Sequence, residues 1–177
     1  MNLQSNDFEL FGLAPCFEQD SAAIDTRWKD LQREAHPDRF AAQGGAAQRV
    51  AMQWSVRINE AYRRLKDPLK RAAYLCELHG AAVNAEDNTA MPAAFLMQQM
   101  EWREALDDAR GVSELAQLST EVRAARRATL QECARLLDDS HDYAAAVREV
   151  RALMFIERFA SDVDAQLDRI DAAEQGQ

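Results

Sequence analysis

At 177 residues, 47% apolar and 29% charged, the chain has the make-up of a globular protein with room for one ordinary domain or two small ones. Four prolines and six glycines argue against a long disordered tract, and sparse β-branched residues with no period-2 run leave no strand signal, so the fold class reads as all-α. The net charge of −9 is lopsided: residues 1–76 hold eleven Lys/Arg against ten Asp/Glu, whereas residues 77–177 hold ten Arg against twenty Asp/Glu, which argues against a general nucleic-acid binder and points to two parts with different partners.

Asp7 to Leu13 reads as a short helix with Phe8, Leu10 and Phe11 inward, ended by Gly12 and Pro15. Asp20 or Ser21 caps a second helix, whose stripe Ile24, Trp28, Leu31 and Ala35 marks one buried face. His36-Pro37 stops it, because the residue before proline is pushed out of the α region. Phe40 to Gly45 reads as a loop. A third helix from Ala46 turns Val50, Trp54, Ile58, Ala61, Tyr62 and Leu65 inward. Asp67-Pro68 opens a fourth, short helix through Leu78, and His79-Gly80 closes it. The aperiodic stretch 81–91 reads as a linker.

Pro92 suits the first turn of a helix that runs to about Ala109. Gly111 breaks the chain, and Ser113 is the candidate cap of a long helix over 114–138, with Leu115, Leu118, Val122, Ala125, Cys133 and Leu137 on one side. Asp139 to Asp142 turns the chain into a last helix over 143–172, striped by Val150, Leu153, Ile156, Ala160, Val163, Leu167 and Ile170. Short connections between three helices imply antiparallel neighbours. The boundaries expected from this pass are an N-terminal part at 1–76, a helix end and linker at 77–91, and a three-helix part at 92–172.

Cys16, Cys76 and Cys133 are odd in number, far apart and without a CxxC pair, so neither a disulfide framework nor a metal site is expected. No basic start followed by an apolar core marks a secretion signal, and no apolar run is long enough to span a bilayer. A cytoplasmic location is the expectation.

The His36-Pro37-Asp38 tripeptide lies between two amphipathic helices, with Arg27, Lys29 and Arg33 before it and Arg39 after it. Alone, it fits a helix-ending loop, a His/Asp catalytic pair or a docking tip. A catalytic pair finds no nucleophile, phosphate-cradling glycine loop or metal ligands nearby in sequence. The context resembles the J domain, the module that stimulates DnaK-type chaperones. DFELFGL (7–13) looks like its short first helix, RWKDLQREAHPDRF (27–40) like its second helix and loop, INEAYRRLKDP (58–68) like its third, and LKRAAY (69–74) like its fourth. The resemblance implies that His36, Pro37 and Asp38 trigger ATP hydrolysis in the chaperone. It assigns Arg27, Lys29 and Arg33 to docking and needs no catalytic residue in this chain.

The segment FLMQQMEWREALDD (95–108) has two faces at helical period. Phe95, Trp102, Ala105, Leu106 and Ala109 form a core stripe, while Leu96, Met97, Met100, Glu101, Glu104 and Asp108 lie opposite. A face mixing Met and Leu with carboxylates fits either packing on another helix or a surface for a basic partner. Phe155, off the stripe of the last helix, is either a bundle-edge aromatic or part of that surface.

A J domain followed directly by this segment and an acidic three-helix part resembles the HscB-type co-chaperones over nearly the whole chain. The resemblance implies that the C-terminal part binds an IscU-type iron–sulfur scaffold protein through Leu96, Met97, Met100, Glu101, Glu104, Asp108 and Phe155. It also implies recruitment of an HscA-type, DnaK-class chaperone, with no cofactor or metal of the chain's own. Met100 stands where leucine is common in that family and Asp108 where glutamate is common. A J protein serving a different basic client is the alternative.

Overall fold

Asn6 opens α1 (Asp7–Phe11) with a capping box: its side chain accepts from the Glu9 N–H, and the Glu9 carboxylate accepts from the Asn6 N–H. Gly12 ends the helix at φ 65°, a left-handed conformation that glycine adopts without steric cost. The computed structural model describes residues 4–84 and 91–175, and no strand occurs among them. Phe8, Leu10 and Phe11 are buried as the pattern predicts. Asp7 is fully buried too, ion-paired with Arg57 and Arg64 of the third helix. The contact of its Oδ1 with Arg57 is an ion pair rather than an aligned hydrogen bond.

Asp20 caps α2 (Ser21–Glu34) by accepting from the Ala22 N–H. Its Ile24 and Leu31 disappear into the core beside α3 (Gly45–Lys66), from which Ile58, Ala61 and Leu65 face back. Trp28 stacks on Tyr62 and donates through Nε1 to Asn59 Oδ1 at 3.0 Å. Val50 departs from expectation: it is half exposed, and Ala51 is buried in its place. Residues 51, 54, 58, 61 and 65 keep the 3.6-residue period, and Val50 falls at the edge of that stripe. The expected loop after the tripeptide is wound into a 3-10 turn, Pro37–Gln43.

Asp67 caps α4 (Pro68–Leu78), accepting from the Leu69 and Lys70 N–H groups, and proline occupies the first turn. The expected linker is not all solvent-facing: Val83 and Met91 are buried, and Arg151 Nε donates to the Val83 carbonyl. Residues 85–90 of it lie outside the described residues.

Pro92 precedes α5 (Ala93–Asp108) as its N-cap. The N-cap of α6 (Val112–Ala134) is Gly111, not Ser113, and Glu114 reaches back to accept from the Arg110 N–H. The helix does not continue regularly to 138. It widens into a π turn, Arg135–Asp139, which buries Leu136 as well as the expected Leu137. Asp142 then accepts from the Ala145 N–H at the start of α7 (Tyr143–Gln175). Phe159, absent from the predicted stripe of α7, is buried with Ile156 and Val163.

Two apolar cores result. The first holds Phe8, Phe11, Phe17, Ile24, Leu31, Ile58, Leu65 and Leu75, and it also takes in Cys133, Leu136, Leu137, Ala146, Val147 and Val150 from the corner between α6 and α7. The second holds Trp102, Leu118, Val122, Ile156, Phe159 and Val163. The far end of the α6–α7 hairpin therefore packs with α1–α4, and α5 packs against its other end.

Candidate functional site

The first candidate site is the turn that follows α2. His36 takes the cap position of the 3-10 turn, and its Nδ1 accepts from the Asp38 N–H at 3.3 Å. Pro37 in the first turn holds φ near its fixed value and stiffens the bend. The His36 and Asp38 side chains are 57% and 90% exposed, with Asp38 Oδ2 3.6 Å from the imidazole. Arg39 donates to the Arg33 carbonyl and closes the end of α2 against the turn. Neither His36 nor Asp38 is in the apolar core, so the fold displays both without depending on them.

The basic residues of α2 divide. Lys29 and Arg33 are four apart, so they share one face, opposite the buried stripe. Arg33 pairs with Asp30 at 2.8 Å, and Lys29 is exposed. Arg27 lies on a flank, 3.7 Å from Glu34, with which it shares a line along the helix. Lys29 and Arg33 thus share the outer face of α2 that leads to the tip, and Arg27 lies off that face.

The second candidate site is the outer face of α5. Trp102 is buried and stacks on Phe159, with ring centroids 5.6 Å apart. Phe95 meets Phe155 edge-on at 5.8 Å, and Phe155 stacks on Phe159. This chain of rings anchors one side of α5. The opposite side is open to solvent: Met97 is 62% exposed, Met100 71% and Leu96 37%. Helical spacing sorts that face into two ridges. Leu96, Met100 and Arg103 lie along one, and Met97, Glu101, Glu104 and Asp108 along the other.

Phe155 belongs beside the first ridge. It is half-buried rather than free, and the Arg103 guanidinium lies 5.7 Å from its ring centroid. Arg103 was not among the residues singled out by sequence, and no periodicity flags it, since its role arises from a ring 52 positions away. Ala105, predicted in the core stripe, is exposed instead. It lines an open groove with Asp108, Glu114 and Glu121, where α6 meets α5 only partway.

The carboxylates of α5 sit poorly for the helix itself. Asp107 and Asp108 occupy the last turn, with no basic residue there, although the negative end of the helix dipole disfavours anions by about 0.3–1 kcal/mol each. Residues placed against local stability on an exposed face suit a contact with something basic.

The thiols carry no such signal. Burial pushes Cys76 up to about 11 and Cys133 up to about 12, far from the reactive thiolate range. Among the described residues no group of three His, Cys, Asp or Glu side chains stands where it would hold a metal ion.

A helical hairpin with an exposed His-Pro-Asp turn at the end of a helix that carries Lys29 and Arg33 on its outer face, joined to an acidic helical part, is the architecture of a J-domain co-chaperone. Residues 91–164 match the family model of the HscB C-terminal oligomerisation domain. The co-chaperone protein HscB homolog of Burkholderia multivorans is 52% identical over 174 residues, 97% of this chain and 99% of that protein. The corresponding homolog of Burkholderia vietnamiensis is 51% identical over the same shares. Among solved structures, chaperone HscB from Vibrio cholerae superposes with a TM-score of 0.82 at 36% identity, covering 94% of this chain and 99% of that one. Human HscB shares the fold at a TM-score of 0.89 and 23% identity, over 94% of this chain and 84% of that chain. The chain belongs to the HscB family of co-chaperones. Among its described residues no helix is long and apolar enough to cross a membrane.

Proposed function

We propose that this chain delivers an IscU-type iron–sulfur scaffold protein to an HscA-type, DnaK-class chaperone in the cytoplasm and triggers ATP hydrolysis there. Cluster transfer from the scaffold is thereby promoted. The observation that carries the reading is the pairing, in one member of this family, of an exposed His36-Pro37-Asp38 tip with an unburied Leu96, Met97 and Met100 face.

The division of labour follows from the chemistry of each end. The N-terminal part, residues 1–76, meets the chaperone through His36, Pro37 and Asp38, with Lys29 and Arg33 supplying positive charge beside the tip and Arg27 at its flank. Exposed charges of this kind speed encounter and make it sensitive to salt. The C-terminal part, residues 92–172, holds the scaffold. Leu96, Met97, Met100 and Phe155 supply adaptable apolar contact, and Glu101, Glu104 and Asp108 select a basic surface. Holding both partners on one chain raises the effective concentration of scaffold at the chaperone. The nucleotide chemistry belongs to the chaperone, and the chain itself acts as a co-chaperone rather than an enzyme.

The test is single-turnover ATP hydrolysis by the chaperone with scaffold present, with and without this protein. Stimulation that is lost with His36→Gln and strengthened by the scaffold is the expected result. No stimulation by the wild-type chain would sink the reading.

A further inference from the structure

α5 carries four carboxylates, Glu101, Glu104, Asp107 and Asp108, and one cation, Arg103. That cation is not spent on its helical neighbours. Asp107 is four residues further on, the usual spacing for an ion pair along a helix, yet it lines the groove between α5 and α7 with Asp162, Gln166 and Arg169. Arg103 turns to Phe155 of α7, its guanidinium 5.7 Å from the ring centroid, and among the described residues it has no ion pair. A guanidinium held against a ring face keeps its N–H donors for another acceptor, and Arg103 is exposed.

Around Phe155 the same sign continues. Arg151 precedes it by four residues on α7 and Arg158 follows it by three, so these positions share a face. Arg151 is half-buried, with its Nε donating to the Val83 carbonyl. Arg158 is exposed and has no hydrogen bond or ion pair among the described residues. Across α5 the sign reverses. Met97, Glu101, Glu104 and Asp108 make the far ridge, and Asp108, Glu114 and Glu121 line the groove against α6 beside Ala105, Ala109 and Leu118. The exposed Leu96, Met97 and Met100 therefore form an apolar strip with cations on its α7 side and carboxylates on its α6 side. An apolar centre with a polar rim is common to interfaces, but a rim divided by sign also sets direction. A partner turned end for end would meet like charges on both sides, which excludes that arrangement.

We propose that Arg103, supported by Arg158 of α7, binds a carboxylate of the scaffold protein, so that the α5 surface takes a partner basic along one edge and acidic along the other, in one orientation. The planar fork of a guanidinium suits a carboxylate. Because Phe155 already holds that fork, little of its freedom remains to be lost on binding. This rests on the proposed delivery of an IscU-type scaffold. It adds a residue that reads negative charge to a surface whose other polar residues select only a basic one.

The test is titration of an IscU-type scaffold protein, free of cluster, into the full chain as wild type, Arg103→Met, Arg103→Lys and Arg103→Glu, each with a circular dichroism melt. Arg103→Met keeps an apolar stem against Phe155 without the charge, and it serves if Arg103→Glu fails to fold. It is expected to bind roughly tenfold more weakly, the worth of a hydrogen bond between charged groups. Arg103→Lys, which keeps the charge but not the fork, is expected in between, and Arg103→Glu weakest. Each exposed Asp or Glu of the scaffold is then changed singly to Arg. One of these scaffold variants is expected to bind Arg103→Glu about tenfold better than unaltered scaffold does, and to bind the wild-type chain more weakly. Wild-type affinity in Arg103→Met would make the residue a mere cover for Phe155 and overturn the proposal. So would a full set of scaffold variants in which none restores Arg103→Glu. If the wild-type chain does not bind the scaffold, the delivery reading fails and the proposal with it, a result distinct from binding that is indifferent to position 103.

Discussion

Asp38 is almost wholly in solvent, with its Oδ2 3.6 Å from the His36 ring. A side chain so placed contributes little to folding, since surface changes away from caps and cores stay within about ±0.5 kcal/mol. Asp38→Asn is therefore expected to melt within about a degree or two of wild type, because that shift corresponds to so small a change in a chain of this size. It should at the same time lose chaperone stimulation while scaffold affinity is unchanged. A melt beside a single-turnover assay checks both, and weakened scaffold binding would contradict the division between the two ends. On α5 the same logic separates display from anchorage. Leu96→Ala with Met97→Ala removes exposed apolar groups, so the fold should hold while scaffold affinity drops by roughly 2–4 kcal/mol, the range of interface hot spots. Trp102→Ala should instead cost about 3–5 kcal/mol of stability, because it empties the space against Phe159. Titration calorimetry beside urea unfolding distinguishes the two.

The α2–α3 hairpin that presents the tip is cross-braced by Asp25, which accepts from Lys66 Nζ at 2.6 Å and from the Tyr62 hydroxyl at 2.9 Å. Those bonds hold the Asp25 carboxyl below the usual carboxylate range, and the bond to Asp25 pushes the Tyr62 hydroxyl up. A carboxyl lowered by folding contributes stability above its unfolded value, near pH 4, that is lost as the pH falls through the lower folded value. A phenol raised by folding contributes stability below its unfolded value, near pH 10, that is lost as the pH rises through the higher one. Asp25→Asn is expected to flatten both limbs of the plot of melting temperature against pH, and unchanged limbs would assign them to other groups. Helix packing also sets thiol chemistry. Cys76 and Cys133 are buried with raised pKa values, and Cys16 is half-exposed. A disulfide-exchange reagent at pH 8 is expected to count one thiol in the native protein and three once it unfolds. Two or more fast thiols in the native protein would mean that α4 and the end of α6 open readily.

Across the molecule, charge is divided between halves that the fold nevertheless joins through one core. Raising salt from about 0.05 to 0.5 M shortens the Debye length well below 10 Å, so both partner contacts should weaken, chiefly through slower association. Stopped-flow binding at several ionic strengths checks this, and salt-independent association rates would remove charge steering from the account. The helices, the openings of two of them at Asp20 or Ser21 and at Asp67-Pro68, the polar tripeptide between α2 and α3 and the two-faced α5 were legible because helical period and capping are local: each depends on residues within a turn or two of one another. That Val50 is exposed and Ala51 buried, that Phe155 sits under Arg103, and that Ala105 is left open were not legible, because each depends on how a neighbouring helix packs across the edge of a stripe. The sequence by itself determined an all-helical chain with a polar tip at one end and a mixed apolar and acidic helix face at the other. Only the tertiary structure decided that the α6–α7 corner shares the first core, that the chain widens there into a π turn, and that Asp138 grips the amides of residues 17 and 18. Those contacts join positions some 120 residues apart, and no local pattern encodes a bond whose partners meet only after both helical parts have packed.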